Sequence, residues 1–264
     1  MKLKVESVYI DAAFEYYVMD SDSVRIRDLY RIEFKEPVAV EGFPGAGLVG
    51  AIAASYMITK LGLKHIASIE SSMFPPFVAL HKGEVYKPVR IYAKEDLMAV
   101  ISEIPLPPVT FEPLIKSLLK WFSEKGVKVI VSFDGFADPK RIEAEQLSIF
   151  GVSNSKEYRE VLEKSKIKIM REGFITGIKA LILRDSLDYG IPAVTLLAQS
   201  FANYPDPGAA GAILEAFESI FGYEIDTEQL FREADEIKVK LKELMRSTAA
   251  MTPVKETGLP AYIG

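Results

Sequence analysis

The chain has 264 residues, 49% hydrophobic and 26% charged, the composition of a folded protein and not of a disordered one. Its formal net charge of −5 gives no basic face for nucleic-acid phosphates, so nucleic acid is not expected as a partner. It contains no cysteine, which excludes disulfides, thiolate catalysis and cysteine-ligated zinc.

Residues 1–36 are charged and aromatic with weak alternation, the pattern of an N-terminal arm or an edge strand. Glu6, Asp11 and Glu15 fall where a secretion signal would need an apolar run. A core begins at Pro37. PVAVE (37–41) reads as a short apolar strand, followed by a glycine turn and a helix to about Leu61, with HIASIE (65–70) as the next strand. This β–α–β order favours parallel strands. Gly42 to Thr59 carries no charge, but its helical part of about 13 residues spans about 20 Å against about 30 Å of hydrocarbon. It reads as a buried helix, so no membrane is expected and the protein is placed in the cytoplasm.

FVALH, EVYKPVRIYA and LMAVISEI then read as consecutive strands, with Lys82–Gly83 as a hairpin turn. They form an antiparallel insert, so the sheet is mixed, and Pro88 predicts an edge position for its strand. Thr110 can cap a helix running to Lys125, with Gly126 as its stop. VKVIVSF (127–133) is the clearest buried strand. Residues 134–172 hold a loop, a short strand near 148–152, a helix near 155–164 and KIKIM (166–170). A glycine-rich helix start and a helix occupy 173–190, and IPAVTLLAQS (191–200) is a last buried strand.

Two helices follow, at about 207–221 and 226–247. Asp226 is the expected N-cap of the second. Its Leu230, Ala234, Ile237, Leu241 and Leu244 repeat at heptad spacing, which suits packing on the same domain or a subunit contact. The resulting division is an α/β core with its arm over 1–222, a helix over 223–247 and a flexible tail over 248–264.

GFPGAGLVG (42–50) contains Gly45-Ala-Gly47-Leu-Val-Gly50 between a strand and a helix, preceded by Gly42, and Glu70 follows twenty residues after Gly50. That spacing matches a dinucleotide-binding turn. It equally matches a strand-to-helix corner whose glycines allow close packing. Glu41, Glu70, Glu103 and Asp134 each end a predicted strand. If those strands are parallel neighbours, the four carboxylates share one rim, where α/β sheets bind ligands. Alternatively each pairs with a nearby base or loop amide. His65 and His81, the only histidines, are too few for a multi-histidine metal site, and no metal or cofactor is expected. Trp121 reads as core or interface packing, and the apolar loops 73–77 and 105–108 as core covers or protein contacts. Ala261-Tyr262-Ile263-Gly264, an aromatic near a free carboxylate, has the form of a docking peptide.

GFPGAGLVG, EIPLPP after Glu103, GFITGIKALIL and YPDPGAAGAILEAF (204–217) together resemble the archaeal proteasome assembly chaperone family, in the family's order and over roughly residues 35–222. The resemblance implies a three-layer αβα fold similar to purine nucleoside phosphorylases and related hydrolases, with a mixed, mainly parallel sheet. It implies a non-catalytic homo-oligomer that binds proteasome α subunits or a paralogous chaperone. It also implies a C-terminal hydrophobic–Tyr–any-residue tail, whose matching residues here are Ala261 and Tyr262. Tyr262 stands third from the end of this sequence, where the family pattern has tyrosine second, an offset of about 3.5 Å along an extended chain. The alternative kept beside this function is a nucleotide- or nucleoside-binding enzyme using the glycine turn and the strand-end carboxylates.

Overall fold

A computed structural model describes residues 23–30, 32–236 and 239. Ile237, Leu241, Leu244 and the tail residues Ala261, Tyr262, Ile263 and Gly264 lie outside them. The elements in chain order are β1 (Val24–Asp28), β2 (Val38–Gly42), α1 (Val49–Leu61), β3 (Lys64–Ser71), β4 (Ala79–His81), β5 (Glu84–Tyr86), β6 (Val89–Lys94) and β7 (Leu97–Ser102). They continue as α2 (Phe111–Glu124), β8 (Val129–Ala137), β9 (Ile149–Ser153), α3 (Lys156–Lys164), β10 (Lys168–Ile169), α4 (Gly177–Asp185), β11 (Ala193–Ser200) and α5 (Pro207–Phe221).

One nine-stranded sheet has the order β1-β3-β6-β7-β2-β8-β11-β9-β10, and β4 and β5 form a separate hairpin. The central strands β7, β2, β8 and β11 are mutually parallel. They are built mostly from apolar residues buried on both faces, as parallel strands under two helical layers must be. The flanks run antiparallel, through β6 and β3 on one side and β9 on the other. β2 and β3 do point the same way, as the β–α–β reading requires, but β7 and β6 stand between them.

Two cores lie against the two faces. Val38, Val40, Val131, Phe133 and Leu196 face α1, α3 and α5, while Ala39, Ile130 and Ala193 face α2 and α4. The result is the three-layer αβα architecture with a mixed sheet. In α2 the buried residues Leu114, Ile115, Leu118, Leu119 and Phe122 form one apolar stripe against the sheet. Trp121 is buried with them and donates its indole N–H to Asp28 on β1 at 2.9 Å, tying the helix to the edge strand.

Three expectations need correction. Pro88 is not in an edge strand: it separates β5, in the hairpin, from β6, which is flanked by β3 and β7. A proline before the first residue of a strand costs no ladder bond, so it serves as a boundary there. Thr110 does not cap α2 with its side chain, because its hydroxyl donates to the Pro107 carbonyl at 2.7 Å within a single 3₁₀ turn. Leu230, offered for a subunit contact beside packing on the same domain, is 2% exposed and belongs to the chain's own core, as does Ile225, so the subunit reading falls away for it. The helix that carries Leu230, described over 228–236, therefore packs on the α/β core. Among the described residues, no helix is long and apolar enough to cross a membrane.

Candidate functional site

β2, β3, β7, β8 and β11 all point the same way, so the loops that follow them gather on one rim of the sheet. Glu41, Glu70, Glu103 and Asp134 lie toward that rim but divide into separate groups. Glu41 and Asp134, on the neighbouring strands β2 and β8, meet at Lys179 of α4, whose ammonium is 3.5 Å from Glu41 Oε1 and 3.6 Å from Asp134 Oδ2. Glu103 pairs with Arg90 and, at 2.8 Å, with His81. Glu70 reaches only Lys87, at 3.6 Å.

The Lys179 group is a largely buried polar cluster on the rim. Lys179 is 5% exposed, and its ammonium also donates to the Phe43 carbonyl at 3.4 Å. Register aligns Glu41 with Ser132 and Ser132 with Thr195, a polar row across three adjacent strands under α4. Within that row Glu41 Oε2, Ser132 Oγ and Thr195 Oγ1 have no hydrogen-bond partner. Burial pushes the Glu41 carboxyl above its ordinary pKa, and the attraction of Lys179 opposes this without cancelling it. Burial works to lower Lys179, but Glu41 and then Asp134 outweigh it and hold the ammonium above its ordinary value. Beside this group a cleft of about 320 Å³ is lined by Gly45, Ala46, Phe111, Asp134, Gly177 and Lys179, among others.

The glycine turn is set by packing. A Cβ on Gly45 would overlap the Asp134 carboxylate, one on Gly50 the Phe133 carbonyl oxygen, and one on Gly42 the Ala54 methyl. Gly47 has φ +60°, the left-handed region in which glycine carries no Cβ penalty, and its carbonyl accepts from the Asp206 N–H at 2.9 Å. The glycines bring the start of α1 against β8 and β11.

Asp206 and Arg141, two further buried charges on this rim, were not among the expected site residues. Asp206 caps α5 by accepting from the Ala209 N–H at 3.0 Å. It also takes a two-pronged contact from Arg141, with Nε to Oδ2 at 2.7 Å and Nη2 to Oδ1 at 2.8 Å. The signal for Asp206 was present in Asp206-Pro207, an N-cap residue followed by proline at the first helical position. Arg141 lies in an irregular loop, and Lys179 in a helix whose sequence gives no sign of burial.

At the other end of the rim, both histidines join one cluster. Arg90 is fully buried and donates to Tyr92 Oη at 2.8 Å, to the Lys87 carbonyl at 2.7 Å and to Glu103. The rings of Tyr86 and Tyr92 lie 5.9 and 5.4 Å from that of His65. Burial first, and the Arg90 charge second, lower the His65 pKa. The cluster fastens the β4–β5 hairpin to the sheet. Among the described residues, no three His, Asp or Glu side chains are grouped to hold a metal ion.

The sequence profile of the PAC2 family matches residues 39–245. The chain is 34% identical to the Methanocaldococcus jannaschii protein MJ0106, itself uncharacterized, over 92% of this chain and 99% of that one. Its fold is similar to that of Pyrococcus furiosus PbaA, described as an archaeal homolog of proteasome-assembly chaperone. The TM-score is 0.78 and the identity 26%, over 87% of this chain and 94% of that one. Pyrococcus furiosus PbaB, described as an archaeal proteasome activator, has a TM-score of 0.75 at 24% identity, over 84% and 99% of the two chains, a likeness of fold.

Proposed function

This chain belongs to the PAC2 family, and from that membership we propose that it is a non-catalytic chaperone or adaptor that self-associates and binds proteasome α subunits in the cytoplasm. The observation that carries the reading is the likeness to PbaA over 87% of the chain at 26% identity. The rim supports it as well. Each of the four strand-end carboxylates has a basic partner, and Glu41 and Asp134 share Lys179 as a fastening between the sheet and α4. The nucleotide-binding alternative loses support at the same place, because protein atoms already occupy the space that Gly45 and Gly50 leave open.

A pull-down with archaeal proteasome α subunits tests the proposal, using the full chain and a form lacking residues 258–264. The full chain is expected to retain the α subunits. Loss of retention on truncation would assign docking to the tail containing Tyr262, and persistence would assign it to the folded core. Absence of binding in both forms overturns the reading.

A further inference from the structure

β1 is the end strand of the sheet. β3 lies on one side of it, and among the described residues no strand lies on the other. Leu29, the residue after β1, donates its N–H to the Ile66 carbonyl at 2.8 Å. Bonded and unbonded pairs alternate along an antiparallel ladder, so Arg25 and Arg27 also bond toward β3. The backbone N–H and C=O groups of Val24, Ile26 and Asp28 then turn outward. The Val24 carbonyl accepts from the Ser117 hydroxyl of α2 at 3.3 Å. The backbone of Ile26, midway along the strand, faces no neighbouring strand.

A groove of about 460 Å³ runs between this edge and α2. Val24, Ile26, Trp121 and Tyr189 give it apolar walls, and Lys116 and Lys120 stand there beside Glu124. On the opposite face of β1, Arg25 and Arg27 are exposed. None of these four bases has a carboxylate partner among the described residues.

We propose that this edge is the docking site of the chain's own N-terminal segment, which adds antiparallel to β1 as a tenth strand. Residues 1–22 lie outside the described residues and lead directly into Ser23 and β1. A turn over Asp20-Ser21-Asp22, residue types that favour turns, returns the chain along β1. It sets Val18 opposite Val24, Tyr16 opposite Ile26 and Glu15 opposite Arg27. The period of two gives Phe14, Tyr16 and Val18 to the apolar groove, and Glu15 and Tyr17 to the arginine face. A one-residue slip either way would turn Glu15 into the groove and Tyr16 out of it, so the sequence selects this register. Charge agrees with the occupant. Residues 1–22 carry five acids and two lysines, against the four unpaired bases around β1. A second copy fits less well, because two β1 strands paired about Ile26 would set Arg25 against Arg27. The inference is separate from proteasome binding, and its test uses this chain alone.

The test is backbone hydrogen exchange on the full chain, read by NMR for the wild type and Tyr16→Asp. In the wild type the Ile26 amide is expected to exchange about 100-fold more slowly than an unpaired amide, and Tyr16→Asp to lose about 10-fold of that protection. Cross-linking then checks the register, in a chain with no cysteine of its own. Tyr17→Cys/Arg25→Cys occupies an unbonded pair, whose side chains come within disulfide reach. With oxidised glutathione it is expected to close about 10-fold faster than Val18→Cys/Arg25→Cys, whose thiols stand on opposite faces. A loose segment would close the shorter loop of the second pair at least as fast. Exchange of Ile26 as an unpaired amide, or equal closure of the two cysteine pairs, overturns the proposal. So does protection of Ile26 that falls on dilution, which would put a second copy on the edge instead.

Discussion

Lys179 neutralises two carboxylates that would otherwise face each other under α4. Lys179→Met leaves Glu41 and Asp134 as adjacent, uncompensated charges, one of them fully buried. A loss of about 3–5 kcal/mol is expected, the cost of breaking a buried pair from one side. Glu41→Gln keeps the shape and the Lys179–Asp134 contact, so its loss is expected to be smaller, about 1–2 kcal/mol. The pH profile separates these roles. Glu41 holds its proton more tightly in the folded than in the unfolded chain. Its contribution to stability is therefore full below the ordinary carboxylate value of 4.5 and declines as pH rises toward the raised folded value. Lys179 is raised as well, so its contribution is retained up to 10.5 and lost only above it. Urea unfolding between about pH 4 and pH 8 should show the wild type losing stability relative to Glu41→Gln as pH rises. Parallel profiles for the two proteins would remove the raised carboxyl from the account. Asp206 is the second such residue. Asp206→Ala deletes the α5 cap and strands Arg141, with an expected loss of about 3–5 kcal/mol. Asp206→Asn keeps one acceptor for the Ala209 N–H and is expected to lose less.

The strand-to-helix corner raises a question about a whole element, because helix propensity and packing give opposite signs at Gly50. In an exposed helix, glycine to alanine gains about 1 kcal/mol. Gly50→Ala in α1 would instead drive its methyl into the Phe133 carbonyl, so a net loss of about 1–3 kcal/mol is expected. Thermal unfolding decides between the two, and a stabilised Gly50→Ala would mean that the corner has room to spare. The period-two and period-3.6 patterns made most elements legible in the sequence. α5 runs over 207–221 as its Asp-Pro start and Gly222 stop require, and β2, β8 and β11 are the buried runs they read as. The break at Pro88 was not legible as a break, since EVYKPVRIYA reads as one strand carrying an edge proline. Only tertiary pairing shows that β5 belongs to the hairpin and β6 to the sheet. The site divides in the same way. The strand-end acids could be found because strand ends can be found, and β register then places them on one rim. Their partners Lys179, Arg90 and Arg141 could not, because a buried base on a helix, strand or loop has the same sequence neighbourhood as a solvated one.

At the scale of the whole molecule, the question is where the folded unit ends. The heptad spacing set a boundary at 222, with a separable helix beyond it. The packing runs across that boundary. Ile225 and Leu230 are buried in the core shared by α1, α3 and α5. The Phe231 ring is about 3 Å from the place of a Cβ on Gly211, and Ala234 about 3 Å from one on Gly208, so two glycines of α5 make room for this helix. Tyr56 of α1 donates its hydroxyl to the Asp226 carbonyl at 2.8 Å, and Lys60 pairs with the Asp226 carboxylate at 3.3 Å. The Lys60–Asp226 pair is solvent-exposed and adds little. The apolar contacts decide the matter, since burying Ile225 and Leu230 contributes about 1.5–3 kcal/mol each. Against a total of about 5–15 kcal/mol for a domain, their removal is a large fraction. A chain ended after residue 222 is therefore expected to melt well below the full chain and to expose core that binds a hydrophobic dye. A chain ended after residue 236 retains every one of these contacts and is expected to melt within a few degrees of the full chain. Equal melting of the two truncated forms would restore the helix as a separate appendage. If only the shorter one fails, α5 and the segment over 225–236 fold as one layer on the sheet.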